Sequence, residues 1–444
     1  MKKILLWLLV LTMCVSVLAG FSLVGCKKTE VVATTAAAET TAAAETTAAA
    51  ETTAKEDSLK GKTIYYISWA DYTPEMLDLF KEQTGITLNY QQFGGGEYNE
   101  AVRTRVVGGA DLDVVAIRAE MRKEFFNDDM MVDLTGQPVL ERVKDLSAGT
   151  SPDGKIYGIP IGGFVEAVWY NKDIFAKNNL SVPKNWEEFN DVCKKLKEAG
   201  ITPLVEPFKD TWPCWYVGIG PLQRIYENDP KIVQKLDSGE VKWTDPIWVD
   251  ALKEVESFIA KSYFAPESTG LAYTQAKQAF NDGKAAMTMC GTWNARNDTH
   301  GKDLRIGGFD LGLFPIPYNL PGEELKGIRV QGVVTGIAQQ SKNKEAAMKF
   351  LEWITDPNGG APIYHNTNGH PSNFIGFETD LGDFTGIIKE AQELPGVETL
   401  RDDLFTLVNS SLYTVLSEMY IGTKTAEEAA KALQDAQDKA MAEK

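Results

Sequence analysis

Thr63-Ile64-Tyr65-Tyr66-Ile67-Ser68, followed by Trp69-Ala70-Asp71-Tyr72 and then Thr73-Pro74-Glu75-Met76, decides the fold. The run Thr63 to Ser68 is β-branched and aromatic and reads as a strand. Thr73, Pro74 and Glu75 are the N-cap, N1 proline and first-turn acid of a helix. Its apolar face is Met76, Leu77, Leu79 and Phe80, and Gly85 ends it. Working outward, Ile86 to Tyr90 reads as a second strand, Tyr98 to Val107 as a helix stopped by Gly108-Gly109, and Val114 to Ile117 as a short buried strand. A βαβαβ opening predicts a mostly parallel sheet with helical crossovers, so the fold class is α/β.

The middle of the chain is more helical. Asn185 with Glu188 marks a helix start and Gly200 its end. Pro246 to Ala260 and Tyr273 to Phe280 read as further helices, and Ala285 to Met289 as a strand. Val333 to Ala338 is another strand, followed by a helix from Asn343 to Ile354. Thr425 and Glu428 form a capping box for a last helix, whose narrow apolar face is Ala426, Ala430, Leu433 and Ala436.

The N-terminus carries a different kind of information. Lys2 and Lys3 precede an apolar run from Ile4 to Ala19, the pattern of a secretory signal. Leu23-Val24-Gly25-Cys26 follows and resembles a bacterial lipobox, which implies a diacylglyceryl group on Cys26 and removal of residues 1–25. Two acyl chains anchor stably, at about 0.8 kcal/mol per buried methylene. Thr-Thr-Ala-Ala-Ala-Glu then recurs in tandem from Thr34 to Glu51. Residues 26–59 cannot bury enough apolar surface to order themselves and read as a spacer with ends about 30 Å apart as a flexible coil. A partial helix is the competing reading, because alanine is a strong helix former.

The rest of the chain, from about Ser58, is too long for one ordinary core, so two lobes are expected. The formal charge of −17 argues against nucleic acid, which needs a basic face. Of the five cysteines, Cys14 leaves with the signal and Cys26 is lipidated. Cys193, Cys214 and Cys290 remain, an odd set that makes no complete disulfide framework. His300, His365 and His370 have no ligand spacing, so no zinc and no other cofactor is expected.

Four stretches together resemble the bacterial extracellular solute-binding proteins of the sugar-binding type, the group that includes maltodextrin-binding proteins. They are Asp113-Val114-Val115; the ordered set Tyr157-Gly158-Ile159-Pro160, Val168-Trp169-Tyr170-Asn171-Lys172-Asp173 and Pro183-Lys184-Asn185-Trp186-Glu187-Glu188-Phe189; Phe280-x-x-Gly283-Lys284-Ala285-Ala286-Met287 with Gly291-Thr292-Trp293; and Gly336-Ile337 with Glu345-Ala346-Ala347 and Phe350-Leu351-Glu352-Trp353. The resemblance implies a periplasmic-binding-protein-like fold: two discontinuous α/β lobes, a hinge and a central ligand cleft. Lobe 1 is then 60–167 with 315–357, and lobe 2 is 168–314 with 358–444. The expected crossings lie near Glu166 to Asn171, near Phe309 to Pro317, and soon after Thr355. The implied function is that of a monomeric receptor outside the cytoplasm, held at the outer face of the cell membrane by lipid on Cys26. It captures a carbohydrate and delivers it to the permease subunits of an ABC transporter, without chemistry of its own.

Sugars present apolar C–H faces ringed by hydroxyls, so a cleft for them wants flat aromatic platforms and planar polar side chains. Trp293 is the first candidate: it follows a strand, and Gly291 lets the chain approach closely there. Its competing role is core packing. Trp69 follows the first strand at the carboxyl edge, where parallel sheets hold ligands. Arg118 and Glu120 follow Val114 to Ile117 in the same layer, with a surface ion pair as the alternative. Glu97 follows the glycine run at 94–96. Glu166 lies at the first crossover, and Trp215 in an aromatic patch with Trp212 and Tyr216. Gln331 precedes the strand returning to lobe 1. His370 lies in a loop that relatives place at the cleft edge; a solvated loop histidine is the other reading.

Other functions compete. A secreted glycoside hydrolase needs paired carboxylates across a cleft, and acids abound, but G-x-S-x-G is absent. The same fold with a non-sugar solute such as a polyamine would favour a carboxylate-rich cleft. A structural surface protein fits the tether but not the two-lobe resemblance.

Overall fold

A computed structural model describes residues 57–94, 97–295, 305–306 and 308–442. The leader, Cys26, the repeats, Gly95-Gly96 and His300 lie outside the described residues. In chain order the strands are β1 (Thr63–Ser68), β2 (Thr87–Gln92), β3 (Val114–Ile117), β4 (Ile159–Pro160), β5 (Gly163–Asn171), β6 (Met287–Gly291), β7 (Arg305–Ile306), β8 (Phe309–Pro315), β9 (Gly327–Gln331), β10 (Val334–Ile337) and β11 (Gly396–Glu398).

Local signals in the opening act as their chemistry predicts. The Thr73 hydroxyl accepts the Met76 N–H at 3.3 Å, and Gly85 closes the helix Pro74–Thr84 at φ 72°, a left-handed conformation that glycine adopts without a Cβ penalty. β1 lies between β2 and β3, parallel to both, with the helices Pro74–Thr84 and Tyr98–Val107 as crossovers. β10 joins antiparallel to β3, and β4 antiparallel to β10. The order is β2-β1-β3-β10-β4.

The second sheet is built differently. β5 is its axis: residues 163–165 pair with β9, 166–170 with β6 and 167–171 with β8, all antiparallel. Only β11 with β9 is a parallel pair between named strands there. β6 starts two residues later than expected and includes Gly291, because its register against β5 runs from Met287 opposite Tyr170 to Gly291 opposite Glu166. The carboxyl-edge rule for parallel sheets therefore applies to Trp69 and not to Trp293. Helix starts nonetheless obey local chemistry. Asn185 Oδ1 accepts the Glu188 N–H at 2.9 Å, and Thr425 and Glu428 exchange bonds of 2.9 and 3.3 Å.

Two separate cores result. One gathers side chains from Leu59 to Ile161, then Val333 to Tyr364 and Phe374. The other gathers Val168 to Ile328 and Leu400 to Ala440, continued by a cluster that includes Trp169, Phe280 and Phe384. The crossings differ from those expected. Because β8 and β9 both hydrogen-bond to β5, the segment 315–331 stays on the second core, with Ile316, Tyr318 and Ile328 inside it. The helix Gly360–Asn368 packs on the first core through Ala361 and Tyr364. The three buried thiols Cys193, Cys214 and Cys290 are free.

The chain passes between cores at Gly162, Gly332 and Pro371, and these segments touch one another. The Gly332 N–H donates to the Gly162 carbonyl at 2.9 Å, and Gly162 forms a β-bridge with Ser372. A Cβ on Gly332 would lie 2.1 Å from that carbonyl, and one on Gly162 would lie 2.9 Å from the Pro371 carbonyl. Glycine is required here by close backbone approach. Beside the crossing, His365 is fully buried, with Nδ1–H donating to the His370 carbonyl at 3.0 Å. Burial holds its pKa down to about 4 from 6.5.

Two outcomes follow from this hinge. Gly332→Ala should lose about 1–3 kcal/mol of stability through overpacking in chemical denaturation, whereas Gly163→Ala, with open space beside it, should change stability by less than about 0.5 kcal/mol; equal effects would contradict the close approach. The unfolded chain protonates His365 near pH 6.5 and the folded chain only near 4, so the unfolded state binds more protons in that window and stability is lost as pH falls through it. At 1.36 kcal/mol per unit, His365→Leu should flatten the wild-type stability–pH curve by up to about 3 kcal/mol between pH 6.5 and 4. Parallel curves would show that His365 is not held neutral.

Candidate functional site

On the first lobe, the loop after β1 carries Trp69, partly exposed and packed against the first core. Its ring meets Tyr98 edge-on at 4.8 Å, and the Arg118 guanidinium lies over it, 4.7 Å from the ring centroid. Arg118 also reaches Glu120 at 3.8 Å, and Asn99 Nδ2 donates to the same Glu120 oxygen at 3.1 Å. Trp69, Arg118 and Glu120 thus form one cluster in which the ion pair and the cation–π contact coexist. The loop is pinned by Asn368: the Asp71 N–H donates to Asn368 Oδ1, and Asn368 Nδ2 donates to the Asp71 carbonyl, each at 2.9 Å. Glu97 is exposed at the head of the helix Tyr98–Val107 and makes no capping bond; it stands apart from the cluster.

On the second lobe, Trp293 occupies the short turn Thr292–Ala295 directly after β6. Its ring folds back over the strand: a Cβ on Gly291 would come 1.8 Å from Trp293 Cζ3. The space beside Gly291 is therefore taken by the indole and is not left for a ligand. Trp293 is partly exposed, meets Phe164 edge-on at 5.5 Å and lies 6.2 Å from Trp212. Trp212 in turn meets Tyr273 and Tyr216. The expectation for Trp215 is corrected here. Trp215 is fully buried because it faces inward from the first turn of the helix Trp215–Asn228, and Trp212 is the member of that patch that reaches Trp293. Thr211, just before it, sits at φ 61°, ψ −50°. A β-branched residue there is a genuine outlier near the strained positive-φ γ-turn, at a cost of roughly 1–3 kcal/mol.

His370 is buried and not a solvated loop histidine, because Phe164 (4.7 Å) and Tyr364 (5.6 Å) enclose its ring. It completes an aromatic series across the hinge, Tyr72–Tyr364–His370–Phe164–Trp293–Trp212, with successive centroids 4.7 to 6.2 Å apart. Gln331 ends β9 with its backbone opposite Gly163.

Glu166 lies in the interior. It is fully buried on β5, accepting Tyr216 Oη at 2.7 Å and Arg401 Nη2 at 2.8 Å. Burial pushes its carboxyl up, against Arg401 and Tyr216, which hold it down. Next to Arg401, burial raises Asp402 to about 7, with Arg401 Nε 3.4 Å from its Oδ1. Glu206, also buried, accepts the Met289 N–H at 2.5 Å, and burial raises it well above the usual range. Sequence reading missed Glu206, Arg401 and Asp402. For Glu206 the available signal was a charge set beside an apolar pair, Leu204-Val205-Glu206; Arg401 and Asp402, in the charged stretch Glu398 to Asp403, carried no such signal.

Away from the crossing segments in sequence, the lobes also meet through side chains. The Thr406 hydroxyl donates to the Glu120 carbonyl at 2.9 Å. Lys123 reaches Asp237 at 2.7 Å and lies over the Phe405 ring at 4.6 Å. At the hinge itself a cavity of about 460 Å³ is lined by residues of both lobes, including Asp145, Gly162, Phe164, Arg329, Ser372 and Glu398. None of the sequence candidates lines it, and Phe164 is the residue it shares with the aromatic series. Its walls mix polar side chains and glycine with the apolar Ala148, Pro160, Phe164, Val330 and Pro371, and the partly exposed indoles of Trp69, Trp212 and Trp293 do not line it. Among the described residues no group of His, Cys, Asp and Glu is arranged to hold a metal ion, and no helix is long and apolar enough to cross a membrane.

Known proteins share this fold. The family model for bacterial extracellular solute-binding proteins matches residues 62–361. The multiple sugar-binding protein of Streptococcus mutans is 23% identical over 63% of this chain and 66% of its own length. A chitin oligosaccharide binding protein superposes with a TM-score of 0.72 at 20% identity, covering 86% of this chain and 99% of that one. RafE solved with raffinose gives 0.68 at 21% identity, over 85% and 99%. With two α/β lobes, paired crossings at glycines and a family match over most of its length, the chain belongs to the bacterial extracellular solute-binding protein family.

Proposed function

We propose that this chain is the extracytoplasmic receptor of an ABC importer, that it captures a carbohydrate between its lobes, and that it hands the ligand unchanged to a permease. The observation that carries the reading is the partly exposed Trp293 seated against Phe164 at the hinge, with Trp69 and its Arg118–Glu120 partners on the other lobe. Indole faces stack on the C–H faces of sugars, and guanidinium and carboxylate groups bond their hydroxyls. Relatives named for multiple sugars and chitin oligosaccharide, and a neighbour solved with raffinose, support it. The family is one of binding proteins, and the carboxylates Glu166 and Glu206 are both buried, which suits charge networks inside a lobe better than acid–base work on a substrate. The lobes pivot about Gly162, Gly332 and Pro371, and a ligand touching both favours the closed arrangement by its differential affinity.

Isothermal titration of the protein from Ser58 onward should detect saccharide binding with no release of reducing ends. Trp293→Ala should weaken it by about tenfold to a hundredfold with a small change in melting temperature. A melting loss equivalent to about 3–5 kcal/mol with unchanged affinity would assign Trp293 to the core, and new reducing ends would favour a hydrolase.

The same proposal places the receptor on the membrane through lipid on Cys26, from the apolar run and Leu23-Val24-Gly25-Cys26. In detergent phase partitioning the wild type should enter the detergent phase and Cys26→Ala the aqueous phase. Identical partitioning of both into water would refute the anchor.

A further inference from the structure

We infer that the contact between the helix Leu400–Asp403 of the second lobe and the turn Ala119–Met121 of the first is a proton-linked latch, in which Asp402 takes up a proton from solvent as the lobes close. The inference rests on the lobe motion proposed above and not on the ligand being a sugar. The two elements pack on each other. The same seam holds the bond from Thr406 to Glu120 and the contacts of Lys123 with Asp237 and Phe405. Asp402 is only 6% exposed there.

Its surroundings leave Asp402 half satisfied. Arg401 Nε lies 3.4 Å from its Oδ1, but the same guanidinium donates through Nη2 to Glu166 at 2.8 Å. Asp402 Oδ2 has no hydrogen-bond partner among the described residues. Several other charged or titratable groups act on it. Arg122 and Glu120 do so from the first lobe and Glu398 from β11. Tyr413 does so from the helix Thr406–Tyr420, and Tyr226 from the helix Trp215–Asn228. The Tyr226 hydroxyl donates to the adjacent Asp403. Arg122 favours the charged form of Asp402 and Glu120 opposes it. The first lobe's charges thus act in opposite directions, and what the seam adds is chiefly desolvation. An ionised carboxylate with an unmet oxygen is costly away from water, and a neutral carboxyl is much less so. Burial accordingly raises Asp402 to about 7. Parting the lobes returns the group toward water and toward the ordinary carboxylate range. Between that range and pH 7 the closed state binds more protons than the open one. Closure is therefore favoured as pH falls through 7, and that contribution is lost above it. By reciprocity, a ligand that closes the lobes draws in a proton and binds more tightly at lower pH.

The test uses the full chain in detergent, with spin labels at Asp129→Cys and Glu240→Cys. Both positions are exposed, one on each lobe, and lie close in sequence to Lys123 and Asp237, whereas Cys193, Cys214 and Cys290 are buried. The distance between the labels reports closure without any ligand. From pH 7.5 to 6 the closed-to-open ratio should rise by about threefold to tenfold. Asp402→Asn, which mimics the neutral carboxyl, should hold the low-pH distance distribution throughout. Arg122→Gln removes a positive charge and should move the midpoint to higher pH. A distribution that ignores pH, a pH response of opposite sign, or an equal response in Asp402→Asn overturns the latch. Should Asp402→Asn not fold, an unmoved midpoint in Arg122→Gln overturns it instead. Titration with maltotriose and raffinose separates the two readings. Saccharide binding without a pH response of the labels removes the latch and leaves the carbohydrate reading; a pH-responsive distance in a chain that binds neither sugar supports the latch and counts against that reading.

Discussion

The close backbone contact of Gly162 with Gly332 and with Pro371 governs the rest of the molecule. A Cβ at either glycine would fall within 2.9 Å of a neighbouring carbonyl, so the crossing segments can lie against each other only without side chains. That contact lets β5 and β9 leave the first lobe as a hydrogen-bonded pair and brings β10 back beside β4. Part of the candidate site is positioned from there. Asn368 and His370 precede Pro371, and they fix the Trp69 loop on one side and Phe164 on the other.

A second constraint acts inside the second lobe. Placing Glu166 on the central strand buries a carboxylate that Arg401 and Tyr216 must satisfy. Such pairs contribute little net stability, because desolvation offsets attraction, yet losing one partner costs about 3–5 kcal/mol. The pair therefore specifies an arrangement more than it strengthens one. It ties the segment Leu400–Asp403 to β5, and the neighbouring Thr406 and Phe405 contact Glu120 and Lys123 of the first lobe. The two lobes are thus joined both by the glycine backbone contacts and by the side-chain contacts of Thr406 and Lys123.

Much of the architecture was legible residue by residue. The bounds of β1, of β3 and of the helices Tyr98–Val107 and Pro246–Ala260 coincide with the pattern of their own side chains, because capping, proline and β-branching act over a few residues. β6 was misplaced by two residues, since its ends are set by register against β5, a strand more than a hundred residues away. The lobe crossings shifted for the same reason: hydrogen bonding to β5, not local composition, holds residues 309–331 on the second core.

The sequence by itself determined the α/β class, the helix caps, the need for two lobes and the short set of aromatic and charged residues worth considering as a site. Local signals suffice for these, because each depends on neighbours in the chain or on total apolar content. Tertiary structure alone decided which candidates share a surface. Trp215 and Trp212 differ by three positions, yet the first is buried in the core and the second, directly after the positive-φ Thr211, lies against Trp293. His370 became a buried spacer because Phe164, far from it in sequence, closes on its ring alongside the nearby Tyr364. Side-chain exposure is a property of packing between distant segments, and no local pattern encodes it.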